Sequence, residues 1–387
     1  LSNTAGDRNV VDLSSALILP KTYYSGSALD ATQDSTIVTI KLNEVMRIAA
    51  IENSGSVPNG GDGVAMVLDF DAEAFHDIAQ NDNSIYDGIV LTETPDTTAP
   101  FVEQAGCSVN YTTGVLLITA NEKLDLTPDT KVDVDKFNLA ELSSSSTAGV
   151  DTIVLTGSTA TATDSTTLTL QLTEAQRVLG IQMSNTPGGN GSPTELRVGA
   201  GAVKDIAQVD CVQDLTGIPL TESPDTLPPT ILDGTINYGT GILTIRSHET
   251  IDAKPASLVV PDNIWLSDSS GAKQINLIGN AANSGLPFAG VLPADGSEDY
   301  VVTLKLTEYQ RSEGIRISDT TGGNGGATLL DFEPGALQDI GTNPNKQQYG
   351  ITLTETADTI SPNFANASLN LGNGYLVFTS TEVIDAV

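Results

Sequence analysis

Leu91-Thr-Glu-Thr-Pro-Asp-Thr-Thr-Ala-Pro100 returns as Leu220-Thr-Glu-Ser-Pro-Asp-Thr-Leu-Pro-Pro229 and again as Leu353-Thr-Glu-Thr-Ala-Asp-Thr-Ile-Ser-Pro362. Asp96, Asp225 and Asp358 stand 129 and 133 residues apart. Two more anchors keep the same order. One is Leu42-Asn-Glu-Val-Met-Arg47, Leu172-Thr-Glu-Ala-Gln-Arg177 and Leu306-Thr-Glu-Tyr-Gln-Arg311; the other is Asp77-Ile-Ala, Asp205-Ile-Ala and Asp339-Ile-Gly. Together they define a tandem repeat of about 130 residues.

Each repeat reads as β-structure. Period-2 alternation with β-branched residues runs through Ser35–Leu42, Ser165–Leu172 and Tyr300–Leu306. Asn110-Tyr-Thr-Thr-Gly114, Asn237-Tyr-Gly-Thr-Gly241 and Asn370-Leu-Gly-Asn-Gly374 have the composition of hairpin turns. The Leu-x-Glu-x-x-Arg anchor carries an N-cap residue (Asn43, Thr173, Thr307) followed by Glu and Arg at i, i+3, which suits one or two helical turns braced by an ion pair. The expected fold is all-β: tandem β-sandwich modules with one short helix each. The borders give a partial module over 1–95, complete modules over 96–224 and 225–357, and the first strands of a further module over 358–387.

Thr97-Thr-Ala-Pro100 opening a strand, a Thr-Gly turn, then Leu-Thr-Ile and a Glu-x-x-Asp step resemble the start of bacterial Ig-like surface repeats of the Big/SwmB type. Gly201-Ala-Val-Lys-Asp-Ile-Ala-Gln208 is similar to the closing strand of those modules. The resemblance implies Ig-like sandwiches in long extracellular repeat proteins of bacteria, algae or protists.

The partial pieces at the two ends come close to one whole module between them. Either the missing strands come from the next protomer, or the chain is a window onto a longer covalent array. Both readings make it a structural subunit of an extracellular filament or surface fibre whose partner is itself, head to tail. The runner-up is a calcium-dependent adhesin that binds glycans or another cell surface. The chain starts at Leu1 without a basic-then-apolar leader, so a mature or internal piece is expected.

Composition narrows the chemistry. With 49 Asp and Glu against 17 Lys and Arg, the net charge of −32 disfavours nucleic acid and anionic lipid and favours divalent cations. No apolar run reaches the roughly 18–20 residues that span a bilayer, so no membrane insertion is expected. Glu-x-x-Asp recurs as Glu93/Asp96, Glu222/Asp225 and Glu355/Asp358, and again as Glu122/Asp125, Glu249/Asp252 and Glu382/Asp385. Hard oxygen donors of this kind suit calcium; the competing reading is solvated, loop-capping carboxylates. Asp69 with Asp71, Asp133 with Asp135, and Asn81-Asp-Asn83 add pairs specific to single repeats.

The loops Pro58–Gly63, Pro187–Gly191 and Gly322–Gly326 are glycine-rich but lack the Lys-Ser/Thr ending of a phosphate cradle, so they read as tight connections. Cys107 and Cys211 fit a disulfide within the second repeat, worth about 4–5 kcal/mol, or two free buried thiols. Asn110, Asn190 and Asn366 head Asn-x-Ser/Thr sequons. The Ser/Thr runs at 143–147 and 156–167 are candidates for O-linked sugar or plain loop and strand. His76 and His248, in non-equivalent places, form no catalytic motif, and no enzyme activity is expected. Trp265, Tyr23 and Tyr24 read as packing residues.

Overall fold

Alternation along the strands decides which faces meet. In Ile242–Asp252, Leu243 and Ile245 point inward and are buried, while Arg246 turns to solvent and pairs with Asp233. Glu298–Lys305 answers with Val302 and Leu304, set opposite Ile245 and Leu243. The computed structural model describes residues 1–7, 11–19, 37–142, 152–278 and 290–385. The run at 143–147, Tyr23, Tyr24 and the first residues of the 35–42 strand lie outside them.

The chain forms two compact units. The second comprises Tyr111–Thr113, Arg177–Gly191 and Ser223–Val387; the first holds the rest. Within the second, eight strands make one sheet in the order Ile275–Asn276, Ile264–Ser267, Leu329–Phe332, Gln348–Thr356, Ile231–Asn237, Ile242–Asp252, Glu298–Lys305, Gly290–Leu292. Ile231–Asn237 runs parallel to Gln348–Thr356, and the other paired neighbours are antiparallel. Both halves of the sheet feed one buried cluster, Ile264, Leu266, Leu330 and Phe332 from one side and Ile236, Leu243, Ile245 and Leu304 from the other. Burying each such side chain contributes about 1.5–3 kcal/mol. A separate hairpin, Phe364–Asn370 with Tyr375–Ser380, exposes both faces, including Leu369, Leu376 and Phe378.

The first unit carries a five-stranded sheet ordered Thr221–Ser223, Ser108–Asn110, Val115–Leu124, Ser165–Gln171, Thr159–Ala160 and a four-stranded sheet ordered Asp214–Pro219, Thr194–Val198, Phe137–Glu141, Thr152–Val154. It also holds two two-stranded sheets, Leu17–Leu19 with Thr39–Lys41 and Val67–Phe70 with Tyr86–Val90. Around these the core is small: Val11, Met46 and Met66, flanked by half-buried Leu42, Ala49, Ala50 and Leu91.

Among the described residues one α-helix stands in each repeat: α1 (Glu44–Glu52), α2 (Glu174–Gln182) and α3 (Glu308–Arg316). Asn43 caps α1 by accepting from Met46 N at 3.0 Å. Thr173 and Thr307 each exchange two hydrogen bonds with the Gln three residues on, a reciprocal capping box. Glu44–Arg47 and Glu308–Arg311 form the expected ion pairs. The helices run nine residues, longer than the sequence suggested.

Equivalent leucines give a test. Leu243→Ala should cost about 2–5 kcal/mol in denaturant unfolding. Leu376→Ala, at the matching place in the Phe364–Asn370/Tyr375–Ser380 hairpin, should change the stability of the dilute chain by no more than about 0.5 kcal/mol.

Candidate functional site

Capping fixes where each helix begins, and the arginine of the first turn follows from it. Arg47 extends from α1 to Asp96 Oδ2 and, at 2.7 Å, to Glu122 Oε2. Arg177 donates to Asp225 Oδ2 at 2.5 Å and Glu249 Oε2 at 3.0 Å, and to the carbonyl of Tyr111 at 3.2 Å. Arg311 reaches Asp358 and the carbonyl of Tyr238, with Glu382 at 3.7 Å. Each guanidinium thus ties the helix of one repeat to two acids of the next.

A third carboxylate completes two of these clusters. Oxygens of Asp96, Glu122 and Asp205 lie within 4.8 Å of one another, as do those of Asp225, Glu249 and Asp339. The second set is wholly buried, whereas Asp96 in the first is half-buried. Burial pushes Asp205 and Asp339 each up to about 6, with neighbouring carboxylates adding to the rise. The arginine hydrogen bonds hold the Glu44 carboxyl below its usual range.

The glycine-rich loops serve this arrangement. Gly60 has φ +81° and sits so close to the Ile206 carbonyl oxygen that a Cβ would fall 2.2 Å from it. Gly188, at φ +86°, stands likewise against the Ile340 carbonyl, at 1.8 Å. Only glycine lets these loops seat against the Asp-Ile-Ala/Gly turn that carries the third carboxylate.

The Glu-x-x-Asp pairs do not act as pairs. A spacing of three on extended chain places the two side chains on opposite faces, so one joins the cluster and the other does not. Glu93 accepts from Gly55 N and Met66 N, Glu222 from Thr194, and Glu355 from Tyr238 Oη. Asp125 pairs with Lys131 and accepts from Gln208; Asp252 accepts from Lys254 N. Asp69 accepts from Ser2, Gly6 N and Gly88 N, and Asp133 pairs with Lys136. Asp205, Asp339 and the arginines are the members that carboxylate spacing misses. Their signal is that the Leu-x-Glu-x-x-Arg and Asp-Ile-Ala/Gly anchors recur with the Asp of the border.

The expected Cys107–Cys211 bridge is not formed. Both thiols are free and buried, Cys107 Sγ near the Glu103 carbonyl at 3.6 Å and Cys211 Sγ near the Gly199 carbonyl at 3.7 Å. Among the sequons, Asn190 and Asn366 are exposed, while Asn110 closes a strand and is half-buried. His248 Nδ1 accepts from Thr230 N, and its Nε2 lies 3.3 Å from Glu249.

No protein-family model matches the chain, and no curated protein matches it. No helix among the described residues is long and apolar enough to cross a membrane.

Removing a buried guanidinium leaves its acids uncompensated. Arg177→Met should destabilise the chain by about 3–5 kcal/mol in denaturant unfolding, and Arg47→Met, whose side chain is about a third exposed, by clearly less. Asp339, with its folded-state pKa raised, binds its proton more tightly folded than unfolded. Its contribution to stability therefore falls as pH rises from about 4 to about 6, by about 3 kcal/mol, and stays lost above that. A carbon-13 carboxyl titration should place its midpoint near 6, far from those of surface aspartates.

Proposed function

We propose that the chain is a structural subunit of an extracellular filament or surface fibre, built from tandem Ig-like β-sandwich modules and lengthened head to tail by copies of itself. Residues 358–385 of one copy complete the module formed by residues 37–95 of the next. The two inner repeats supply the register. Leu116 faces Leu170 and Leu243 faces Leu304, both leucines fully buried, so Leu376, 63% exposed, faces Ile40. Phe378 then faces Val38, and Ala367 to Asn370 run parallel to Leu91 to Thr94, as Gly234 to Asn237 run beside Leu353 to Thr356.

The observation that carries this reading is a matched change of volume. Tyr111 packs on Gly180 and Tyr238 on Gly314 so closely that a Cβ on either glycine would meet the ring at 2.9 and 3.1 Å. At the corresponding places stand Leu371 and Ala50: the smaller side chain where the tyrosine was, the larger where the glycine was. Leu371 is 86% exposed, and Ala50 lines an open cleft of about 730 Å3 together with Glu93 and Asp96. A longer polypeptide would make such contacts with its own next repeat, but the Leu371–Ala50 match favours a second copy of this chain.

The Asp-Ile-Ala turn agrees. Ile78 is 80% exposed where Ile206 and Ile340 are buried to 6% and 4%. Docked as the inner repeats are, Asp77 becomes the third carboxylate beside Arg311, Asp358 and Glu382, and Ile78 seats on the Gly322 loop. One patch on each end, not self-complementary, yields an open fibre. The net charge of −32 keeps neighbouring fibres apart.

The test is a compensating pair. The unaltered chain should lengthen with concentration in sedimentation velocity and give fibres in electron micrographs. Leu371→Tyr should stop growth, because its ring meets the Ala50 methyl, and Leu371→Tyr with Ala50→Gly should restore it. A chain that stays monomeric at every concentration, or a double variant no better than Leu371→Tyr, contradicts the proposal.

A further inference from the structure

We propose that Asp96, Glu122 and Asp205 hold a divalent cation of the calcium type. The argument starts from the Asp-Ile-Ala/Gly turn. In the first repeat Asp77 accepts from both the backbone N and the side-chain amide of Asn81, each at 2.9 Å. In the third, Asp339 accepts from Asn343 N at 2.8 Å and Asn343 Nδ2 at 3.0 Å. The second repeat has Val209 at that place. Its backbone N still donates to Asp205 Oδ1 at 2.8 Å, but the amide is gone, and Asp205 Oδ2 is left buried with no hydrogen-bond partner. Asp205 itself is 2% exposed. A buried carboxylate oxygen without a donor is costly and calls for a positive ligand.

What surrounds it supplies the rest of a site. Asp96 and Glu122 bring oxygens within 4.8 Å of Asp205. Two oxygens bound to one calcium at about 2.4 Å stand at most about 4.8 Å apart, so the spacing suits that ion. Arg47 is shared among Glu44, Asp96 and Glu122, so with Asp205 the cluster keeps a net negative charge that a divalent cation offsets. Arg47, Asp96 and Glu122 also line the cleft, which gives an ion a route from solvent. The equivalent set Asp225, Glu249 and Asp339 differs in the decisive respect: the Asn343 amide already occupies the free oxygen of Asp339. Among the described residues the geometry thus favours the Asp96, Glu122 and Asp205 cluster, and Val209 marks it. No second copy supplies a ligand, but the cleft that admits the ion is the one Leu371 of the next copy fills, so the site is tested in the dilute chain, before fibres grow.

Calorimetric titration of the dilute full-length chain with calcium chloride, and separately with magnesium chloride, tests this. One calcium per chain should bind, at least tenfold more tightly than magnesium. Asp205→Asn should weaken it at least tenfold. Val209→Asn, which replaces no proposed ligand but restores the amide to Asp205, should do the same while leaving the circular dichroism spectrum unchanged. No calcium uptake by the unaltered chain, meaning that a proton or water satisfies Asp205, overturns the proposal. So does uptake unaltered in both variants.

Discussion

A guanidinium that is buried needs acids, and this chain provides them from the repeat that follows. Arg177 donates to the Tyr111 carbonyl in its own repeat, but it also pairs with Asp225, just past the border, and Glu249, on the next hairpin. That requirement fixes the spacing of the anchors. The helix cap sets the arginine, the border aspartate meets it, and the hairpin strand must present its glutamate on the same side. The compact units likewise do not follow the repeat borders: 177–191 groups with 223–387, where Arg177 meets Asp225 and Glu249.

On the fibre reading proposed above, the same interaction would carry load from repeat to repeat. Every titratable group of the clusters faces an arginine, a backbone amide or a sibling carboxylate, and the histidines lie at the margin. Ion pairs joining helix to following hairpin link repeats in series, while the Asp-Ile-Ala/Gly turn and the glycine loop lock by backbone contact. A contact of this design, repeated without closure, extends in one dimension.

Much of the fold was legible. Period-2 alternation located the inward leucines, the caps at Asn43 and Thr307 announced their helices, and the recurring anchors marked the repeat. The site was only half legible. Carboxylate spacing pointed to Asp96, Glu122, Asp225 and Glu249, yet paired them wrongly, since residues three apart on a strand face opposite ways. Asp205 lies 83 and 109 residues from Glu122 and Asp96, and Asp339 lies 90 and 114 from Glu249 and Asp225, so only tertiary pairing brings them in. The cysteines share a repeat, but their sulfurs lie against separate carbonyls, which sequence spacing cannot foresee. The absence of an amide at Val209 was visible in the sequence, but its meaning depends on knowing that Asn81 and Asn343 bond their aspartates.

Amide hydrogen exchange of the full chain, followed residue by residue at low and at high concentration, tests the central claim most directly. The account predicts that amides of Tyr375–Ser380 and of 37–41 gain protection together as concentration rises, while those of Ile242–Asp252 stay unchanged. Equal exchange of both segments at every concentration would contradict it.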